Sequence, residues 1–97
     1  MKLILFAFFL SHNIFAVSET CRVATINHEG ALEVYVENEA VVILGMRAYQ
    51  ACKENLVVEE QLLVEESKEK CFEDETKTNA SKVDCAFRAV EYFLYSK

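Results

Sequence analysis

Proline is absent from the 97-residue chain, and glycine occurs only at Gly30 and Gly45. So few turn-formers leave no hairpin signal and no glycine loop to cradle a phosphate. Gly-x-Ser-x-Gly and His-Glu-x-x-His are both missing, so the sequence carries no nucleophile elbow and no zincin helix. No two cysteines are spaced Cys-x-x-Cys, which removes the usual zinc and thiol-exchange arrangements. The acidic run Glu59–Glu69 lacks the alternating Asp/Asn and the glycine of a calcium loop, and reads as a solvated face. Beyond Met1–Ser18 the only histidine is His28, in a polar segment beside Gly30, where a surface or turn position is expected. Asp84 and Glu91 come nearest to a catalytic carboxylate, and surface exposure is the simpler account of both. These absences together predict a protein that is not an enzyme and that holds neither metal nor cofactor.

Positive charge is also scarce, with 10 Lys and Arg against 16 Asp and Glu. Nucleic acid and anionic membranes both require a basic face, so neither is expected as a partner. A bilayer-spanning run of about 20 apolar residues is missing as well. What the chain does have is a short basic start, Met1-Lys2, followed by the apolar stretch Leu3–Leu10 and the small residues Ala16-Val17-Ser18. This is the pattern of a cleaved secretory leader. Residues 1–18 are therefore read as a signal peptide with cleavage after Ser18, or alternatively after Ala16. Residues 19–97 form a single domain, placed outside the cell. Loss of Lys2 leaves nine basic against sixteen acidic residues, a net charge of −7.

A domain of this size is marginal on its core alone, about 3–5 kcal/mol. Four cysteines remain after cleavage: Cys21, Cys52, Cys71 and Cys85. An even count in a secreted chain predicts bridges, and four cysteines allow three pairings. The C-terminal stretch Lys70–Lys97 is the most patterned. Ala86, Phe87, Val90, Phe93 and Leu94 share one helical face, while Lys82, Arg88, Glu91 and Tyr95 lie mainly off it. Ser81, with Asp84 three residues on, reads as the N-cap of that helix. Cys85 sits one turn inside it and Cys71 lies before the polar loop Asp74–Lys82, which suggests two helices stapled near their shared loop. Upstream, Leu56–Phe72 reads as a helix with Val58, Leu62, Leu63 and Cys71 on its apolar side. Asn55 is a plausible break before it. Ala31–Glu54 reads as a long helix, kinked or split at Gly45. Val41–Leu44 is β-branched enough for a strand, but its flanks favour helix. Glu19–Glu29 is polar and short of pattern. Asn79-Ala80-Ser81 is an N-glycosylation sequon. No repeat, low-complexity segment or linker divides the chain, so one all-α domain of three to five helices is expected.

Taken together, the cysteine-centred segments resemble the insect odorant-binding proteins of the pheromone/general odorant-binding family. Cys21 with the following ATINHEGALEVY resembles the first cysteine and its helix. Ala48-Tyr49-Gln50-Ala51-Cys52 resembles the family's Cys-x-x-x-Cys helix with Ala48 in place of its first cysteine. SKEKCF around Cys71 resembles the fourth cysteine, and Asp84-Cys85-Ala86-Phe87-Arg88-Ala89 the fifth. Leu94 stands where the sixth would fall. The resemblance implies an all-α, disulfide-linked helical domain, a shortened version of the odorant-binding fold. It also implies the bridges Cys21–Cys52 and Cys71–Cys85. Only 18 residues separate Cys52 from Cys71, about half the family's interval, so roughly one helix of the cavity wall is lost.

The function implied is a secreted carrier for a small hydrophobic ligand. Ligand-contacting candidates are Met46, Tyr49, Phe72, Phe87, Val90, Phe93 and Leu94, because such pockets are mostly apolar. The alternative is a secreted interaction protein on a degenerate scaffold without a closed cavity, paired with a second copy or another protein.

Overall fold

The computed structural model describes residues 17–35 and 39–95, which form four helices and no strand among the described residues. Helix α1 spans Glu19–Tyr35, α2 Glu39–Lys53, α3 Val58–Glu73 and α4 Asn79–Tyr95. The expected all-α, disulfide-linked domain is what is observed. The chief packing contacts are α1 on α2, α2 on α4 and α3 on α4. Helix α4 is thus flanked on both sides by partners.

Helix α1 corrects the reading of Glu19–Glu29 as unpatterned. Ser18 caps it: the Cys21 amide donates to Ser18 Oγ (3.1 Å) and the Arg22 amide to the Ser18 carbonyl (3.0 Å). Glu19 adds a negative charge at the positive end of the helix. The inward stripe is Cys21, Ala24/Thr25, His28 and Ala31/Leu32, all buried or half-buried. Their spacing is helical, but most are small or polar, so hydropathy alone does not reveal the face. Gly30 lies within the helix rather than ending it.

Helix α2 carries Val41–Leu44, which is helical as expected. The long apolar segment does divide, but between Tyr35 and Glu39, where residues 36–38 lie outside the described part. Gly45 is not a helix boundary. It lies buried inside α2, and a Cβ there would sit 2.3 Å from Val83 Cγ1 and 3.0 Å from His28 Cε1. Glycine is needed for close approach to α1 and α4, not for a special backbone conformation. The helix ends as the Asn55 and Leu56 amides reach back three residues, to the Cys52 and Lys53 carbonyls.

Helix α3 also differs from expectation. Val58 (68 % exposed), Leu62 (66 %) and Leu63 point outward, and Val64 and Cys71 are its buried residues. The reason is rotational. Cys71 is bonded to Cys85, and a residue nine positions away on a helix of 3.6 residues per turn, such as Leu62, falls on the opposite side. The covalent link therefore sets which face turns inward.

In α4 the expected face is buried: Ala86, Phe87, Val90 and Leu94, joined by Ala80 and Val83, with Phe93 half-buried against the core. The cap is Thr78, not Ser81. The Ser81 amide donates to Thr78 Oγ1 (3.1 Å), which places Ser81 in the third helical position. The loop before it is held by Asp74, which accepts from the Thr76 amide and hydroxyl. Both bridges are present, Cys21–Cys52 joining α1 to α2 and Cys71–Cys85 joining α3 to α4. They match the pairing that the family resemblance implies.

Candidate functional site

An open groove of about 920 Å³ runs along the outer side of the α1–α2 pair. Its apolar surface comes from Val23 and Ala24 of α1 and from Leu44, Met46 and Ala51 of α2. Asn27, Arg47 and Gln50 supply hydrogen-bonding groups along it, and Glu19 and Glu54 stand at the end nearest the Cys21–Cys52 bridge. Near this end the Ser18 amide donates to the Asn55 side-chain oxygen Oδ1 at 2.6 Å, tying the start of α1 to the turn after α2. Arg47 makes no ion pair among the described residues, whereas Glu19 pairs with Arg22.

The groove recruits only one of the expected ligand contacts, Met46. Tyr49, Phe87, Val90 and Leu94 are core residues, and Phe93 packs against that core. Phe72, on α3, is 41 % exposed and away from the groove. Val23, Asn27, Leu44, Arg47 and Gln50 line the groove but are not among the expected ligand contacts. Their signal is a pair of adjacent helical stripes: Thr20, Val23/Ala24 and Asn27 on α1, and Leu44, Arg47 and Ala51 on α2. Recognising the first stripe requires knowing that α1 begins at Glu19.

A second polar site crosses α1 and α4. His28, expected at the surface, is fully buried. Its Nε2 is 2.9 Å from Asp84 Oδ1. Arg88 then binds Asp84 at 3.2 Å, both oxygens of Glu29 at 2.8 and 3.0 Å, and Glu91 at 2.9 Å. Asp84 and Glu91 are thus half-buried network members rather than free surface groups. The hydrogen bond from His28 holds the Asp84 carboxyl below its ordinary range, with Arg88 adding to it and burial opposing. Arg88 likewise holds Glu29 down, and Glu29 in turn keeps Arg88 firmly protonated. The imidazole and the Phe87 ring meet edge-on (centroids 5.1 Å apart, planes at 73°), and Nδ1 faces Gly45 without a hydrogen-bond partner. The His28–Asp84 pair ties α1 to α4.

A third cluster joins α2 to α3. Lys53 and Lys68 both pair with Glu65, and both ammonium groups lie 5.3 Å from the Tyr49 ring centroid. The Lys53 hydrogen bond holds the Glu65 carboxyl down at about 2. Burial pushes the Tyr49 hydroxyl up, and the Glu65 charge acts in the same direction. The hydroxyl itself is buried outside hydrogen-bonding geometry with any described group.

Asn79 and Ser81 of the sequon are exposed in the first turn of α4. Among the described residues no group of three or more His, Cys, Asp or Glu side chains is placed to hold a metal ion, and no helix is long and apolar enough to cross a membrane. Comparison with family models, curated proteins and solved structures finds no match to the chain.

Proposed function

We propose that the protein is a secreted carrier for a small hydrophobic ligand, built on a shortened scaffold of the odorant-binding type, with the ligand lying in the α1–α2 groove. The observation that carries this reading is the groove itself: a concave, largely apolar surface with a few hydrogen-bonding groups, the chemistry of a small-molecule site. The groove lies outside the packed core, so ligand uptake does not require the core to open. The Cys21–Cys52 bridge joins α1 to α2 at one end of the groove and so helps to hold its walls independently of a ligand.

The exposed apolar residues Val58 and Leu62 of α3, with Val57 just before it, favour a second reading, an interaction protein that covers this face with a second copy or another protein. Titration with an anilinonaphthalene fluorophore separates the two. A carrier takes up the probe, Val23→Glu weakens uptake at least about tenfold by placing a charge in the apolar groove, and Val58→Glu leaves it unchanged. An absence of uptake by the folded protein overturns the carrier reading. Self-association abolished by Val58→Glu supports the second.

A further inference from the structure

The leader pattern admits two cleavage points. Ala16 and Ser18 are small residues at the −3 and −1 positions for a cut after Ser18, and Ala16 with the uncharged Ile14 serves for a cut after Ala16. The fold distinguishes them. Val17 packs against the main core. Ser18 makes three backbone-directed contacts. Its hydroxyl accepts from the Cys21 amide, its carbonyl from the Arg22 amide, and its own amide donates to Asn55 Oδ1 in the turn between α2 and α3. These contacts cap α1 and pin its start to the far end of α2, next to the Cys21–Cys52 bridge.

We infer that the leader is removed between Ala16 and Val17, so that Val17 and Ser18 are the first two residues of the mature protein. The peptidase reads an extended chain; the fold bears on the outcome through what is left behind. A cut after Ser18 takes away the cap and the tie to Asn55. It also leaves a charged α-ammonium on Glu19, the first residue of α1, where the helix already presents its positive end. A cut after Ala16 keeps all three contacts and moves the new charge two residues clear of the helix.

The inference rests on the reading of residues 1–18 as a cleaved leader, and one experiment tests the two separately. The full chain is expressed through a eukaryotic secretory pathway, and the secreted protein is deglycosylated, weighed intact and sequenced from its N-terminus. The expected product begins at Val17. A Ser18→Ala variant sharpens the readout. With Ser18 retained, the variant product is lighter than the native one by one oxygen atom, and its Tm is lower by about 4–8 °C through loss of the cap. If cleavage follows Ser18 instead, native and variant products are identical in mass and begin at Glu19, which overturns the inference while leaving secretion intact. Residues 1–16 still attached overturns the leader reading and the inference with it.

Discussion

Gly45 shows how one side chain, or its absence, sets the spacing of three helices. In an exposed helix, replacing glycine by alanine stabilises by about 1 kcal/mol. Here the added methyl would overlap Val83 and press on His28, both buried, and valine's branched side chain has little room to turn away. Overpacking of this kind costs about 1–3 kcal/mol, so Gly45→Ala is expected to lower stability despite its helix propensity, as read by urea denaturation. An unchanged or higher midpoint would mean that α2 and α4 do not approach as closely as the structure has them. The carboxylates make a second prediction at this scale. Asp84, Glu29 and Glu65 are all held below their ordinary values in the folded protein. Each therefore contributes stability that is present above its unfolded pKa, near 3.8 for Asp and 4.5 for Glu, and is lost as pH falls through the lower folded value. Loss of stability is expected from about pH 4.5 downward, reaching about pH 2 for Glu65. Exposure of the Glu65 pair to solvent keeps its share modest. Circular dichroism across that range checks this, and Glu65→Gln should flatten its acid end.

The helix starts and the disulfides carry the predictions for the elements. Thr78→Ala removes the cap of α4 and is expected to cost about 1 kcal/mol, whereas Ser81→Ala, three positions inside the helix, is expected to be near neutral. The sequon at Asn79 responds the opposite way, destroyed by Ser81→Ala and kept in Thr78→Ala, so stability and any glycan occupancy separate on two residues three positions apart. Replacing each bridge by an alanine pair should destabilise by about 3.7 kcal/mol for Cys21–Cys52 and about 3.0 kcal/mol for Cys71–Cys85, following their sequence separations of 31 and 14. Calorimetry of the two double variants gives the order. How far these elements can be read from the sequence depends on which residues form their faces. Helix α4 is legible because its face is built of Phe87, Val90 and Leu94, whose hydropathy and spacing agree. Helix α1 is not, because its face is built of Cys21, His28 and Ala31. Helix α3 misleads, because its strongest apolar residues, Val58 and Leu62, lie opposite the half-cystine that orients it. The buried His28 is invisible for a related reason. Its partner Asp84 is 56 residues away, and the glycine that makes room for it belongs to a third helix.

At the scale of the whole molecule, the apolar side chains divide between a packed interior and an outer groove. Tyr49, Phe87, Val90 and Leu94 close the interior, and concave apolar surface remains on the outside, between α1 and α2. The groove therefore could not be read from the aromatic residues. It depends on which face of α1 turns away from the core, and that is decided by the Cys21–Cys52 bridge and by His28 reaching Asp84. A carrier of this form should bind with little change in its helices, since the groove walls are already held by the bridge and by packing of α1 on α2. The most direct measurement is an amide-resolved NMR titration of the mature protein with an anilinonaphthalene probe. The account predicts shifts concentrated at Val23, Asn27, Leu44, Arg47 and Gln50, with Phe87 and Val90 of α4 and Leu62 of α3 unmoved. Shifts centred on Val58 and Leu62, or spread through the core residues of α4, would contradict a ligand site in the α1–α2 groove.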